Sequence, residues 1–229
     1  MMVINRYWSK LVIVFFIIAF NGVIEMKAQE RIVDDAAITN LRSFQIETWY
    51  GQFESVFMPA IGANQWLELG LGLIFDSETD FNYNGLMPEI KAIKNNFEID
   101  SYSWGGVMGL LLSNDFKINE FYLYSPYSRN LMGGNLVLHI NAGFNYVWNT
   151  SNELIATYGF RGDLHLFGPF DVLGGMYAEN FDLSFYGGSR IAILPDFLEI
   201  ILTYGQGIIP RFKMPGFAIQ LSITPDQLW

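Results

Sequence analysis

Apolar residues alternate with small or polar residues along most of this chain, with a period of two. The clearest case is residues 136–148, where every even position is apolar or aromatic and most odd positions are polar or small. Residues 154–166 show the same alternation after the polar stretch 149–153. A period of two is typical of a β-strand with one apolar face, so the two segments predict a long antiparallel hairpin.

The alternation recurs in further segments, separated by turn-forming residues such as Gly168-Pro169. The other candidate strands are residues 43–59, 66–75, 87–94, 101–112, 119–127, 170–179, 182–193, 198–205 and 217–224. The pattern predicts an all-β chain with one mature domain. Because bacterial single-chain barrels have even strand numbers, we expect ten or twelve strands. Twelve follow if residues 43–59 break near Gly51, and ten if a weak segment such as 119–127 is a loop.

The less apolar face of these segments carries few charges, which indicates where that face lies. It contains Gly70, Gly72, Asn141, Gly143, Asn145, Thr157, Gly159 and Thr203. A solvated surface would carry many Lys, Glu and Asp, so this face suits a confined lumen, and the bulky aromatic-rich face suits lipid. We therefore predict a closed antiparallel up-and-down transmembrane β-barrel. A soluble barrel or sandwich is the alternative.

Residues 1–28 have the pattern of a cleavable signal peptide. Arg6 and Lys10 precede an apolar run over residues 11–20, and the small residue Ala28 follows. The run is shorter than the ~18 residues of a membrane-spanning helix, although an uncleaved anchor is the alternative. We expect an exported protein with a short periplasmic segment at 29–42 and the barrel at 43–229. Within the first of these, residues 31–40 fit either a periplasmic tail or a small plug.

Composition narrows the possible chemistry. The chain has no cysteine, so disulfides and thiolate sites are excluded. It has two histidines, which leaves few ligands for a zinc enzyme. It has 23 acidic and 13 basic residues, which argues against a nucleic-acid binder. We expect no cofactor and no metal.

Three segments resemble a known group of proteins. They are the signal ending Lys27-Ala28-Gln29, the strand Leu-His-Ile-Asn-Ala-Gly-Phe at 138–144, and the closing strand at 216–225. Together they are similar to small outer-membrane β-barrel proteins of Gram-negative bacteria, of the poorly characterised porin-like or transporter-like type. The resemblance implies an outer-membrane location, with the lipid bilayer and the barrel-insertion machinery as partners. It implies no site residues.

Polar residues on the hairpin give the best candidate site. If Val147 faces Ile155, then Asn141 lies opposite Arg161 and His139 opposite Asp163. The predicted polar cluster of the lumen consists of Glu68, His139, Asn141, Arg161, Asp163 and His165. In a channel these groups would set the ion preference, and Gly70, Gly72, Gly143 and Gly159 would widen the lumen. Ordinary ion-pair packing is the competing explanation, and no residue is assigned as catalytic.

Three functions are compatible with this pattern. The first is a passive channel or transporter for small solutes. The second is a non-transporting structural or interaction barrel that binds a partner through loops 76–86 or 207–215. The third is a membrane-embedded hydrolase in which Asp163 orients His139 or His165 to activate water. The sequence favours the channel, and we do not expect an enzyme.

Overall fold

Twelve antiparallel strands close into one barrel in the computed structural model. Each strand pairs with its neighbours in the chain, and β1 pairs with β12 to complete the ring. This confirms the all-β barrel and selects twelve strands over ten. The structure describes residues 33–51, 54–77, 80–95, 97–148, 152–195, 197–208 and 216–225. The predicted signal peptide and most of loop 207–215 lie outside these residues.

The strand bounds follow the alternation in the sequence closely. The strands are β1 (Phe44–Gly51), β2 (Glu54–Asn64), β3 (Leu67–Asp76), β4 (Asn82–Lys94), β5 (Tyr102–Ser113), β6 (Ile118–Leu131), β7 (Leu136–Val147), β8 (Glu153–Phe167), β9 (Phe170–Glu179), β10 (Asp182–Leu194), β11 (Leu198–Gly207) and β12 (Gly216–Ile223). One helical turn, α1 (Phe97–Asp100), joins β4 to β5. No helix in the described part of the chain is long and apolar enough to cross a membrane.

Two ambiguous segments of the sequence are resolved. Residues 43–59 divide into β1 and β2 after Gly51, as the twelve-strand alternative requires. Residues 119–127 belong to β6 and are not a loop. Pro126 weakens their strand pattern because it lacks a backbone donor, and it is tolerated where the pairing of β5 with β6 is interrupted between Trp104 and Val107.

The outer face of the barrel is apolar and exposed around the whole circumference. Large exposed side chains on it include Leu71, Ile140, Phe160, Val172, Phe185 and Ile219. Aromatic residues concentrate near the strand ends, where Phe75 stacks on Phe81 with ring centroids 5.0 Å apart and Tyr146 meets Trp148 at 4.9 Å. A soluble monomer rarely exposes so continuous an apolar surface.

The two ends of the barrel differ in what they carry. At one end, here the terminal end, the chain enters β1 and leaves β12, and the Ser43 hydroxyl donates a hydrogen bond to the Pro225 carbonyl. The Gly168-Pro169 turn between β8 and β9 lies at the same end. The β3–β4 loop and the β11–β12 connection lie at the opposite end. Residues 82–86, predicted as part of a loop, are instead the start of β4.

Candidate functional site

Residues 33–40 lie in the interior of the barrel and are called the plug here. Val33, Ala36 and Thr39 are buried, each at most 5% exposed. The Ala36 amide donates to Ser128 Oγ at 2.7 Å, and Ser103 Oγ donates to the Ala36 carbonyl at 2.5 Å. Of the two interpretations of residues 31–40, a tail or a plug, the described part of this segment therefore has the position of a plug.

The plug enters the barrel at the terminal end, where it passes over Gly62. A Cβ atom at this position would come within 2.2 Å of the Asn40 carbonyl oxygen and 2.5 Å of that of Thr39. Gly62 therefore allows the backbone of the plug to lie directly against β2. Nearby, Glu68 Oε2 accepts hydrogen bonds from the Thr39 amide at 2.6 Å and from its hydroxyl at 2.7 Å.

Two aspartates of the plug bind a buried lysine of β4. Lys91 Nζ lies 3.0 Å from Asp34 Oδ2 and 3.5 Å from Asp35 Oδ1, and the Lys91 side chain is 7% exposed. Tyr124 Oη donates to the Asp34 carboxylate at 2.9 Å. The Asn141 side-chain amide can pair with both the amide and the carbonyl of Asp34, at 2.7 and 2.9 Å. A buried lysine needs such partners, because an unpaired buried charge is costly.

Charge also controls the pKa of Asp35. Burial acts to raise the pKa of this carboxyl, but Lys91, His139 and Arg161 together lower it from 3.8 to about 2. The plug is therefore anionic at neutral pH and is docked against cationic side chains of the barrel.

A second ionic network joins side chains of β8, β9 and β10, and His139 of β7 faces it. Asp163 Oδ1 lies 2.9 Å from Arg161 Nε, and Asp163 Oδ2 lies 3.4 Å from Arg190 Nη1. Arg190 also contacts Asp171 at 2.7 Å, and His165 Nδ1 lies 2.8 Å from the same carboxylate. Each arginine of the network therefore has an aspartate partner, and these groups satisfy one another in the lumen.

The expected register between β7 and β8 is wrong by two residues. Val147 pairs with Glu153, not with Ile155, so His139 lies opposite Arg161 and Asn141 opposite Gly159. The reason is that β8 already begins at Glu153, the last residue of the polar stretch that the sequence pattern predicts as the turn. A shift of two keeps every side chain on its predicted face, because the side-chain period of a strand is also two.

The structure brings most of the predicted cluster together around the plug. Glu68, Asn141 and Arg161 contact the plug directly, the last through a 2.8 Å hydrogen bond from its guanidinium to the Val33 carbonyl. His139 Nε2 lies 3.6 Å from Asp163 Oδ2. His165 has a different partner, since it binds Asp171.

Sequence reasoning missed Ser128, which completes a Ser-His-Asp arrangement. Ser128 Oγ lies 2.8 Å from His139 Nδ1, and the far ring nitrogen of His139 faces Asp163. A nucleophilic serine needs an accessible hydroxyl oxygen. Ser128 is 2% exposed and its oxygen accepts the Ala36 amide, so in this arrangement it holds the plug.

The glycines of β3 and β7 do not widen the lumen as expected. A Cβ at Gly70 would lie 2.7 Å from Met58 Cε, and one at Gly72 would lie 2.9 Å from Met87 Cε. At Gly143 the space is taken by Tyr124 and the backbone of β6. These glycines therefore accommodate large inward side chains of neighbouring strands. The resulting buried cluster comprises Trp49, Val56, Met58, Ile74, Met87, Val107 and Tyr122.

An open cavity of about 580 Å³ remains between the plug and the wall formed by β1 and β12. It follows the inner faces of β1 and β12 along their length, from Gly51 and Ala218 near the opposite end to Gln45 and Thr224 near the terminal end. No described residue of β5, β6 or β7 lines it. The volume lies within the usual range for small-molecule sites, about 300–1,000 Å³.

Carboxylates dominate the described charged residues that line this cavity. The acidic ones are Asp34, Asp35, Glu47, Glu54, Glu68, Glu89 and Glu199, and the basic ones are Lys91, Arg161 and Arg190. Among the described residues, no group of three or more His, Cys, Asp or Glu side chains is arranged to hold a metal ion. The site is thus a polar cavity with an excess of carboxylates among its described lining residues.

Comparison with known proteins gives a match in fold only. No protein-family model matches the sequence, and no curated protein matches it. The barrel is similar to the solved structure of the KdgM porin, with a TM-score of 0.60 and 8% identity over 80% of this chain and 99% of that one. For the KdgM porin in complex with disordered oligogalacturonate, the TM-score is 0.57 and the identity 9%, over 79% of this chain and 96% of that one. For the NanC porin, the TM-score is 0.53 and the identity 11%, over 79% of this chain and 98% of that one.

Proposed function

We propose that this protein is an outer-membrane channel for small solutes. The observation that carries the proposal is the polar cavity that follows β1 and β12 along their length, between the barrel wall and the plug. A packed barrel would have side chains in this space. The similarity of the fold to the KdgM and NanC porins supports the same function.

The outer surface supports a place in the membrane. A ring of exposed Leu, Ile, Phe and Val side chains surrounds the barrel, and closure pairs the backbone groups of β1 with those of β12. A lipid bilayer requires both features, since it offers no hydrogen bonds to an open sheet edge. The predicted signal peptide would direct export. We expect the terminal end to face the periplasm, because bacterial barrels have their short turns on that side and Gly168-Pro169 is such a turn.

The plug limits what such a channel can carry. Twelve strands lie between the eight of barrels filled by side chains and the sixteen or more of open porins. Here the plug and the buried cluster of β1–β6 occupy part of the interior. We therefore expect small conductance steps and passage of small solutes only.

The test is single-channel conductance of refolded residues 29–229 in a planar bilayer, with two neighbouring residues of β12 as a matched pair. Ala218 lines the cavity, whereas Ile219 is exposed on the outer face. We expect small reproducible steps in the wild type, a large reduction in Ala218→Trp, and no change in Ile219→Trp. A protein that inserts but never conducts would contradict the proposal and favour a structural or interaction barrel.

A further inference from the structure

Resting on the membrane location that is part of the proposed function, we infer that the outer face of the barrel binds the headgroup of an anionic phospholipid at the terminal end. The strands carry their basic residues in two groups. One group lines the cavity and consists of Lys91, Arg161 and Arg190. The other group, Lys94 and Arg129, is exposed on the outer face, next to the buried inward residues Ile93 and Ser128.

Lys94 and Arg129 flank β5 at the same end of the barrel. Lys94 ends β4 and pairs with Trp104 of β5, and Arg129 of β6 pairs with Tyr102, two residues before Trp104. Neighbouring strands are about 4.8 Å apart and two residues span about 7 Å along a strand, so the two Cα atoms are about 12 Å apart. Both side chains are long, and a group of the size of a phosphate can therefore lie between their ends.

Aromatic side chains place these two cations at the level of lipid headgroups. Tyr102 and Trp104 are 41% and 45% exposed on the outer face between Lys94 and Arg129. Trp and Tyr side chains are enriched where a bilayer meets water, because one part of each ring system is apolar and the other polar. Lys94 Nζ lies 5.7 Å from the centre of the Trp104 ring, which orients the ammonium group by a cation–π contact.

The chemistry of this pair fits a phosphate with a net negative charge. The guanidinium of Arg129 can donate two parallel hydrogen bonds to phosphate oxygens, and the ammonium of Lys94 adds a second positive charge. The acidic residues of α1, Glu98 and Asp100, belong to the loop beyond the strand ends, on the water side of the pair. Because we expect this end to face the periplasm, the ligand is a phospholipid of the periplasmic leaflet and not the lipid A of the outer one.

The test is native mass spectrometry of refolded residues 29–229, released from micelles that contain equal amounts of phosphatidylglycerol and phosphatidylcholine. We expect the wild type to retain phosphatidylglycerol severalfold better than phosphatidylcholine. Lys94→Gln and Arg129→Gln should each reduce this preference about fivefold, the contribution of one basic residue near an anionic lipid surface. Lys117→Gln is the matched control, since it removes one positive charge from the exposed β5–β6 loop at the opposite end and should keep the wild-type preference.

The outcomes separate this inference from the proposed channel when the same preparations are also measured in planar bilayers. A wild type that conducts but retains both lipids equally, or variants of Lys94 and Arg129 that behave like Lys117→Gln, overturn the lipid site alone. Retention of added lipid A in place of phosphatidylglycerol, lost in the same variants, overturns its assignment to the periplasmic leaflet. A protein that binds phosphatidylglycerol as expected but never conducts contradicts the channel alone, and one that does not insert into bilayers overturns both.

Discussion

The two sides of the lumen use polar residues in opposite ways. On the packed side, formed by the inner faces of β5, β6 and β7, side chains such as Ser103, Ser128 and His139 are buried against the plug. On the open side, formed by the inner faces of β11, β12 and β1, side chains such as Thr203 and Gln220 are half-buried and face the cavity. Both sides are polar, yet only one is filled.

This difference shows that a polar inner face does not by itself define a pore. The hydroxyl groups of Ser103 and Ser128 satisfy the backbone of Ala36, as buried polar groups require. With the plug in place, the same kind of residue becomes part of the protein interior. The cavity lies beside β11, β12 and β1, which the plug contacts through a 3.2 Å hydrogen bond from Thr39 Oγ1 to Gln45 Oε1.

Deleting residues 33–40 should have the largest effect, because it removes the difference between the packed side and the open side of the lumen. Without the plug, the packed side loses its partners and faces the same aqueous space as the open side. We expect the single-channel conductance to rise severalfold, with the barrel still closed because β1 begins at Phe44. Unchanged conductance in planar bilayers would show that the plug does not restrict the passage.

Lys91→Met should have the next largest effect, because it removes the cation that binds Asp34. Breaking a buried ion pair by removing one partner costs about 3–5 kcal/mol, and the barrel can avoid this cost by releasing the plug. We expect a larger conductance or frequent transitions to a larger state. Lys117→Met is the matched control, since Lys117 and Asp115 form an exposed pair in the β5–β6 loop. Equal behaviour of both variants would contradict the anchoring role.

A smaller effect is expected from the charge of Asp35, whose side chain is 45% exposed. Because docking lowers its pKa from 3.8 to about 2, the charge stabilises the docked plug fully above pH 3.8, and this stabilisation is lost as the pH falls towards 2. Asp35→Asn should therefore weaken docking of the plug and raise the single-channel conductance at pH 7 and pH 5. The difference from the wild type should vanish near pH 2. A difference that grows on acidification would have the wrong sign.

The faces of the strands could be predicted from the sequence because each depends on local alternation. Strand bounds agree within a few residues for most segments, for example 170–179 for β9. Pairing was harder, since it depends on where a turn begins. Glu153 is polar and follows a polar stretch, so the pattern predicts it as part of the turn, although it continues the inward face of β8.

The position of the plug could not be read from the sequence, since its contacts are distant in the chain. Asp34 meets Lys91 57 residues away and Tyr124 90 residues away. The pair Asp34-Asp35 gives no local sign of these partners. Ser128 was missed for a related reason, because its role depends on β6 being a strand beside His139.

The most direct test of the central claim, that the plug fills one side and leaves the other open, is thiol accessibility during conduction. The chain has no cysteine, so Gln220→Cys on the open side and Ser103→Cys on the packed side each introduce a single thiol. With a cationic, membrane-impermeant methanethiosulfonate reagent, we predict rapid modification and partial block for Gln220→Cys, and no reaction for Ser103→Cys. Equal reaction rates at the two positions, or reaction at Ser103→Cys alone, would contradict the account.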